Sequence, residues 1–180
     1  SFRKALRRSA AFEGYEFAGN RQAILSRFPV EPLSTSRLSK YRAEGWKVSA
    51  GPDSVVAVLD VHLASQPLRT QIVRGWSRAQ LSKAIGTYQK ELHAVREIVA
   101  QYRDRWPVIL AGDFNLPPCY PLLRRLRRAL KDCFMANGYG WGRTVPAAFP
   151  VARIDMIMVP RPAHVYYAAA LSLTGSDHYP

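Results

Sequence analysis

The sequence predicts a layered α/β domain with a mixed or antiparallel sheet. Three observations carry this. Ser54–His62 is dominated by β-branched residues and has the length of a buried strand. Between Leu81 and Tyr102, apolar residues fall at alternating steps of four and three, which is one stripe on a helix of about six turns. The elements run strand, strand, helix, strand, helix, strand, strand, an order unlike a regular parallel winding.

The elements follow in chain order. Phe2–Ala11 has helical character without a clear stripe. Gln22–Ser26 is a short apolar run bounded by Arg27 and Pro29, hence a strand. Glu31–Gly45 is polar with Pro, Ser and Thr, hence a loop or sheet edge. Trp46–Ala50 is a short strand, and the turn Gly51-Pro52-Asp53 leads into Ser54–His62. The long helix buries Leu81, Ile85, Tyr88, Leu92, Val95, Val99 and Tyr102, with Gln, Lys, Glu and Arg on its other face. Pro107 stops it, and the strand Val108–Ala111 runs straight into Gly112-Asp113-Phe114-Asn115. Pro117, Pro118 and Pro121 open a second helix, with Leu122, Leu126 and Leu130 inside and Arg124, Arg127, Arg128 and Lys131 outside. Asn137–Gly142 is a loop, Arg153–Val159 a strand, Tyr166–Leu173 another strand, and Gly175–Pro180 a loop. There is no internal repeat or linker, so residues 1–180 read as one domain.

Composition sets bounds on function. The chain has 180 residues, 48% hydrophobic and 22% charged, which excludes disorder along its whole length. No apolar run approaches the roughly 18 residues of a membrane-spanning helix. Twenty-six basic residues, 20 of them Arg, against 13 acidic ones give a net charge of +13. Arg grips phosphate with a fork of donors, so the excess suits an anionic partner: nucleic acid, anionic lipid or a phosphorylated small molecule. An Arg-favouring genome explains it equally well. Cys119 and Cys133 have neither zinc-ligand nor disulfide spacing, and read as buried or idle thiols. Ser1–Arg8 is basic with no apolar core after it, so it is not a signal peptide.

Three carboxylates mark the candidate site. Asp113 follows the strand Val108–Ala111, Asp155 lies within Arg153–Val159, and Asp177 precedes His178. Carboxylates at the ends of apolar runs are costly unless paired, protonated or bound to a cation. Three of them imply a shared polar site with a hard cation held by oxygen ligands. His62 closes its strand and reaches the same rim. Taken singly, each has a plainer reading: a turn cap for Asp113, a backbone-bonded Asn115, an Asp155–Arg153 pair, a core histidine at 62. His93 and His164 read as surface residues.

Val61-His62-Leu63, Gly112-Asp113-Phe114-Asn115, Arg153-Ile154-Asp155 and Ser176-Asp177-His178 occur in one order with sensible gaps. With Ala23–Pro29 (AILSRFP) as support, the chain resembles the endonuclease/exonuclease/phosphatase superfamily of deoxyribonuclease-I-like phosphoesterases over Gln22–Pro180. The resemblance implies a four-layer α/β/β/α sandwich, of which this chain is a C-terminal portion. It implies that Asp113 orients and deprotonates the attacking water and also binds metal. Asn115 bonds a phosphate oxygen. His178 contacts the scissile phosphate as base or electrostatic stabiliser, and Asp155 orients it. His62 touches phosphate or protonates the leaving oxygen, and Asp177 is a metal ligand or stands behind one. The implied cofactor is Mg²⁺ or Mn²⁺. The family's metal-binding Asn and Glu are expected before residue 1, since Glu13, Glu16 and Asn20 come too late, and a last strand is expected after Pro180. Residues 1–180 are thus expected to be a domain truncated at both ends, inactive or nearly so alone and poorly soluble.

The resemblance leaves the substrate open. A phosphatase or phosphodiesterase acting on a lipid, a lipid pyrophosphate or a small phosphoester is the first reading. A nuclease on DNA or RNA, suggested by the charge and the Arg124–Lys131 face, is the second. A non-catalytic partial domain is the third. His62 in Val-His-Leu argues against the abasic-site repair branch. The wording Gly138–Thr144, then Pro146, is similar to a bacterial branch with membrane-anchored enzymes. This adds an anchor upstream as an expected location; the charge keeps an anionic membrane surface among the expected partners, and a monomer is the expected state.

Overall fold

A computed structural model describes residues 16–19, 22–34, 43–64, 77–148, 151–172 and 175–180. The expected helix at Phe2–Ala11, Glu13 and Asn20 lie outside the described residues. The chain begins with an antiparallel pair, β1 (Glu16–Gly19) and β2 (Ala23–Ser26). Then come β3 (Val30–Pro32), β4 (Ala43–Gly51) and β5 (Ser54–His62), the helix α1 (Arg78–Arg103) and β6 (Val108–Asp113). A 3₁₀ turn at Pro121–Leu123 runs into α2 (Arg124–Ala129), followed by β7 (Leu130–Asp132), α3 (Cys133–Asn137), β8 (Gly138–Tyr139), β9 (Asp155–Pro160) and β10 (Ala168–Ala169).

Six strands form the central sheet in the order β3-β4-β5-β6-β9-β7. Within this sheet, among the described residues, only β5 and β6 pair in parallel, joined across α1; the other neighbours are antiparallel. The mixed sheet expected from the element order is therefore present, in a fold of the deoxyribonuclease-I-like type. The β4–β5 hairpin turns at Gly51-Pro52-Asp53, as the Gly-Pro-Asp signal predicts.

Alternation along β5 decides what each face does. Ala57, Leu59 and Val61 are buried, and with Val108, Leu110, Met156 and Met158 they form the core beneath α1. Their neighbours Val58, Asp60 and His62 point to the other face. The helix contributes Tyr88, Leu92, Val95, Ile98, Val99 and Tyr102 to this core. A capping box starts it: the Ser77 hydroxyl accepts from the Gln80 N–H at 3.2 Å, and the Gln80 side chain accepts from the Ser77 N–H at 3.0 Å.

Several expectations shift. Leu81, expected inside, is exposed, and the buried stripe of α1 starts at Tyr88. Glu91, placed by periodicity on the outer face, is buried and accepts from the Ala64 N–H at 2.6 Å. Leu130 and Lys131 belong to β7, not to the second helix. Of the expected basic face, Arg127 instead bonds the Pro118 carbonyl at 2.8 Å, and Lys131 bonds the Ala163 carbonyl. The expected loop or sheet edge at Glu31–Gly45 opens on the edge strand Val30–Pro32, and within the expected strand Tyr166–Leu173 the described residues give β10, paired with β8. Both thiols are free; Cys119 is exposed and Cys133 half-buried.

Candidate active site

Strand register assembles the site. His62 pairs with Asp113 across β5–β6, and Asp113 pairs with Asp155 across β6–β9. The three residues therefore form one transverse row on one face of the sheet. Gly112, just before Asp113, has a φ of +132°, and a Cβ there would lie 2.0 Å from the Val61 carbonyl oxygen. Only glycine lets β6 approach β5 this closely.

His178 arrives from the C-terminal loop. Its Nδ1 lies 3.0 Å and 3.1 Å from the two oxygens of Asp155. A carboxylate accepts, so Nδ1–H donates, which leaves Nε2 as the acceptor nitrogen of a neutral ring. One ligand atom each from Asp113, Asp155 and His178 lies within 4.8 Å of the other two. His62 Nε2 is 3.8 Å from Asp113 Oδ2, outside hydrogen-bond range but beside the same carboxylate.

The Asp113 carboxylate is held from below. The Asn115 backbone N–H donates to Oδ1 at 2.7 Å, and its side-chain amide donates to Oδ2 at 3.1 Å. The same amide donates to the Leu63 carbonyl at 2.9 Å. Both amide hydrogens are thus engaged, so Asn115 orients Asp113 and ties it to the end of β5. A positive φ of 50° at Asn115 makes this turn possible, and Asn tolerates that region better than most residues. Burial raises the Asp113 carboxyl above the usual aspartate range. The Asn115 N–H opposes this, the Asp155 charge adds to it, and His178 and His62 pull it down.

Asp177 stands apart. It is exposed, it lies outside the group of three, and its backbone carbonyl accepts from the Ala147 N–H at 2.8 Å. Asp155 does not pair with Arg153, which turns away and forms a two-pronged ion pair with Asp132 at 3.0 Å and 3.0 Å. Glu16 has a structural task, accepting from the Val30 N–H at 2.8 Å. His93 and His164 are exposed, as expected.

Three residues that build the site had no motif to announce them. The buried Tyr88 hydroxyl donates to the Phe114 carbonyl at 2.7 Å, bracing the turn between Asp113 and Asn115. Glu91, one helical turn on, holds the chain just past His62 through Ala64. Thr144 Oγ1 accepts from the N–H groups of Ile154 at 3.2 Å and Asp155 at 3.4 Å, setting the start of β9.

The donor set suits a hard divalent cation in part: two carboxylates converge, one raised by burial and by the other's charge, which a cation would relieve. Asp113 would hold it, because both Asp155 oxygens already serve His178.

Comparison with known proteins bears on the fold and the family. The chain resembles the crystal structure of a functionally unknown conserved protein from Enterococcus faecalis V583, with a TM-score of 0.66 and 16% identity, over 98% of this chain and 78% of that one. It resembles a mannosyl-6-phosphatase of Bacteroides thetaiotaomicron VPI-5482, with a TM-score of 0.59 and 20% identity, over 93% of this chain and 75% of that one. A mutant of Staphylococcus aureus beta toxin with bound magnesium ions matches with a TM-score of 0.62 and 14% identity, over 87% of this chain and 65% of that one. At such identities these are likenesses of fold. No curated protein matches the sequence. The profile of the Endonuclease/Exonuclease/phosphatase family matches residues 4–178, nearly the whole chain, and the chain belongs to that family.

Proposed function

We propose that the protein is a divalent-metal-dependent hydrolase that cleaves a phosphoester or pyrophosphate bond of a lipid or small phosphorylated substrate by in-line attack of water. The convergence of Asp113, Asp155 and His178 within 4.8 Å carries this reading. Asp113, oriented by Asn115 and raised by burial, aligns the water and takes its proton. His178, held by Asp155 through Nδ1, turns Nε2 toward the phosphoryl group. His62, at the other end of the row, faces the leaving oxygen. Mg²⁺ or Mn²⁺ at Asp113 would offset the negative charge building on the phosphoryl oxygens.

The test is a substrate panel, with each cation in turn, on the natural protein and its variants. Asp113→Asn and His178→Ala should each lower kcat at least about a hundredfold. Asp155→Asn should cost less, because it orients and does not react. Near wild-type turnover in either of the first two variants would sink the assignment. The exposed Arg124, Arg125 and Arg128 of α2, within a net charge of +13, favour a nuclease as the second reading. Activity on oligonucleotides exceeding that on phospholipids and small esters would select it.

A further inference from the structure

Beside the site lies a surface that the hydrolytic row does not use. Tyr139, Trp141, Tyr166 and Tyr167 are 65% to 88% exposed, and Leu171 joins them at 54%. Large aromatic side chains this open to water are unusual on a soluble face, and a cluster of them marks a contact surface. The fold builds the cluster deliberately. β8 and β10 pair through Ala168–Gly138 and Ala169–Tyr139, bringing Tyr139 and Tyr167 to a ring separation of 6.2 Å. The Asn137 side chain bonds the carbonyls of Val165 and Tyr166, fixing the segment beneath the rings. Arg143 lies over the Trp141 ring, 4.7 Å from its centroid.

This surface adjoins the reacting groups. Trp141 and Arg143 lead directly to Thr144, which positions Asp155 and whose carbonyl accepts from the Tyr179 N–H at 2.8 Å, next to His178. The Leu171 N–H donates to the Pro180 carbonyl at 2.9 Å. A largely apolar cavity of about 290 Å³, walled by Asp155, Phe134, Met156 and Ala168–Ala170, connects β10 to the row.

We propose that Tyr139, Trp141, Tyr166 and Tyr167 form a docking surface that seats the protein on an anionic lipid bilayer, with the hydrolytic row at its edge. Tyr and Trp suit the membrane–water boundary because each joins an apolar ring to a hydrogen-bonding tip. Arg143 and the net charge of +13 supply attraction to anionic headgroups. A single-stranded nucleic acid would also use aromatics, but the aliphatic Leu171, 54% exposed, extends the patch with a side chain that offers a base no ring to stack on. The inference specifies where the lipid substrate class proposed above would be met. Its test needs no turnover, so the two can fail separately.

The experiment is co-sedimentation of the purified protein with phosphatidylcholine vesicles, with and without phosphatidylglycerol. Wild type should bind the mixed vesicles. Tyr166→Ser with Tyr167→Ser, and separately Trp141→Ala, should each weaken that binding about tenfold or more, while circular dichroism shows the fold intact. Arg124→Glu with Arg125→Glu on α2, which lowers the net charge but leaves the aromatics in place, should weaken binding less than either aromatic variant does. Aromatic variants that bind unchanged, or loss of binding in the α2 variant alone, would overturn the proposal. So would a wild type that ignores vesicles but holds a labelled single-stranded oligonucleotide through the same aromatics.

Discussion

Replacing Asp60 by Asn should stabilise the protein near neutral pH and leave it unchanged in acid. Asp60 sits on β5 directly opposite Glu44 of β4. Its Oδ1 is 2.8 Å from the point that a Cβ on Gly112 would occupy, so the carboxylate presses against the β6 backbone. Burial first and the Glu44 charge second push its carboxyl from 3.8 up to about 6, with the Val61 N–H pulling the other way. The folded chain therefore keeps this proton over a range in which the unfolded chain has lost it. The group's stabilising contribution is complete below about pH 4, declines as pH rises through about 6, and is absent above. At about 1.4 kcal/mol per tenfold change in acidity, the interval is worth about 3 kcal/mol. An amide carries no charge but must satisfy its own hydrogens in the same place, which leaves a net gain of about 2 kcal/mol. Urea unfolding of both proteins near pH 7 and near pH 4 measures it. A similar gain at both pH values, or none at either, would refute the argument that charge burial at Asp60 is the cause.

Two further outcomes follow from buried polar contacts. Tyr88→Phe removes the donor to the Phe114 carbonyl in a sealed position and should cost about 1–2 kcal/mol in urea unfolding. An unchanged midpoint would mean that the turn carrying Asp113 is braced elsewhere. Asp132→Ala strands the largely buried Arg153 guanidinium and should cost about 3–5 kcal/mol, whereas a loss under about 1 kcal/mol would show that Arg153 relaxes into water.

Sequence pattern reaches the parts of this protein that repeat with a period. The α1 stripe does so, while β5 and the strand before Asp113 show as apolar runs of strand length, so their existence was legible and only their ends moved. The gathering of Asp113, Asp155 and His178 was legible from a resemblance, because four short motifs stand in a family's order. Pattern fails where one polar side chain serves distant backbone. Glu91 looks like a solvent-facing helix residue until Ala64, 27 positions away in sequence, supplies its partner. The Arg153 partner is equally invisible: Asp155 is nearer in sequence, but its oxygens face His178, and Asp132 arrives from the end of β7. Asp60 sits within an apolar run that reads simply as strand, and its contact with Gly112 exists only once β5 and β6 lie side by side.

The row His62, Asp113, Asp155 is one residue deep across three strands. Sliding β6 by a single position would present Gly112 or Phe114 where Asp113 stands, and would drive the carboxylate into the apolar layer under α1. Reactivity and strand pairing are consequently a single event for this chain. A partly zipped sheet has no weakened version of the site, only none. During refolding the row should therefore form abruptly, once β5, β6 and β9 pair in register.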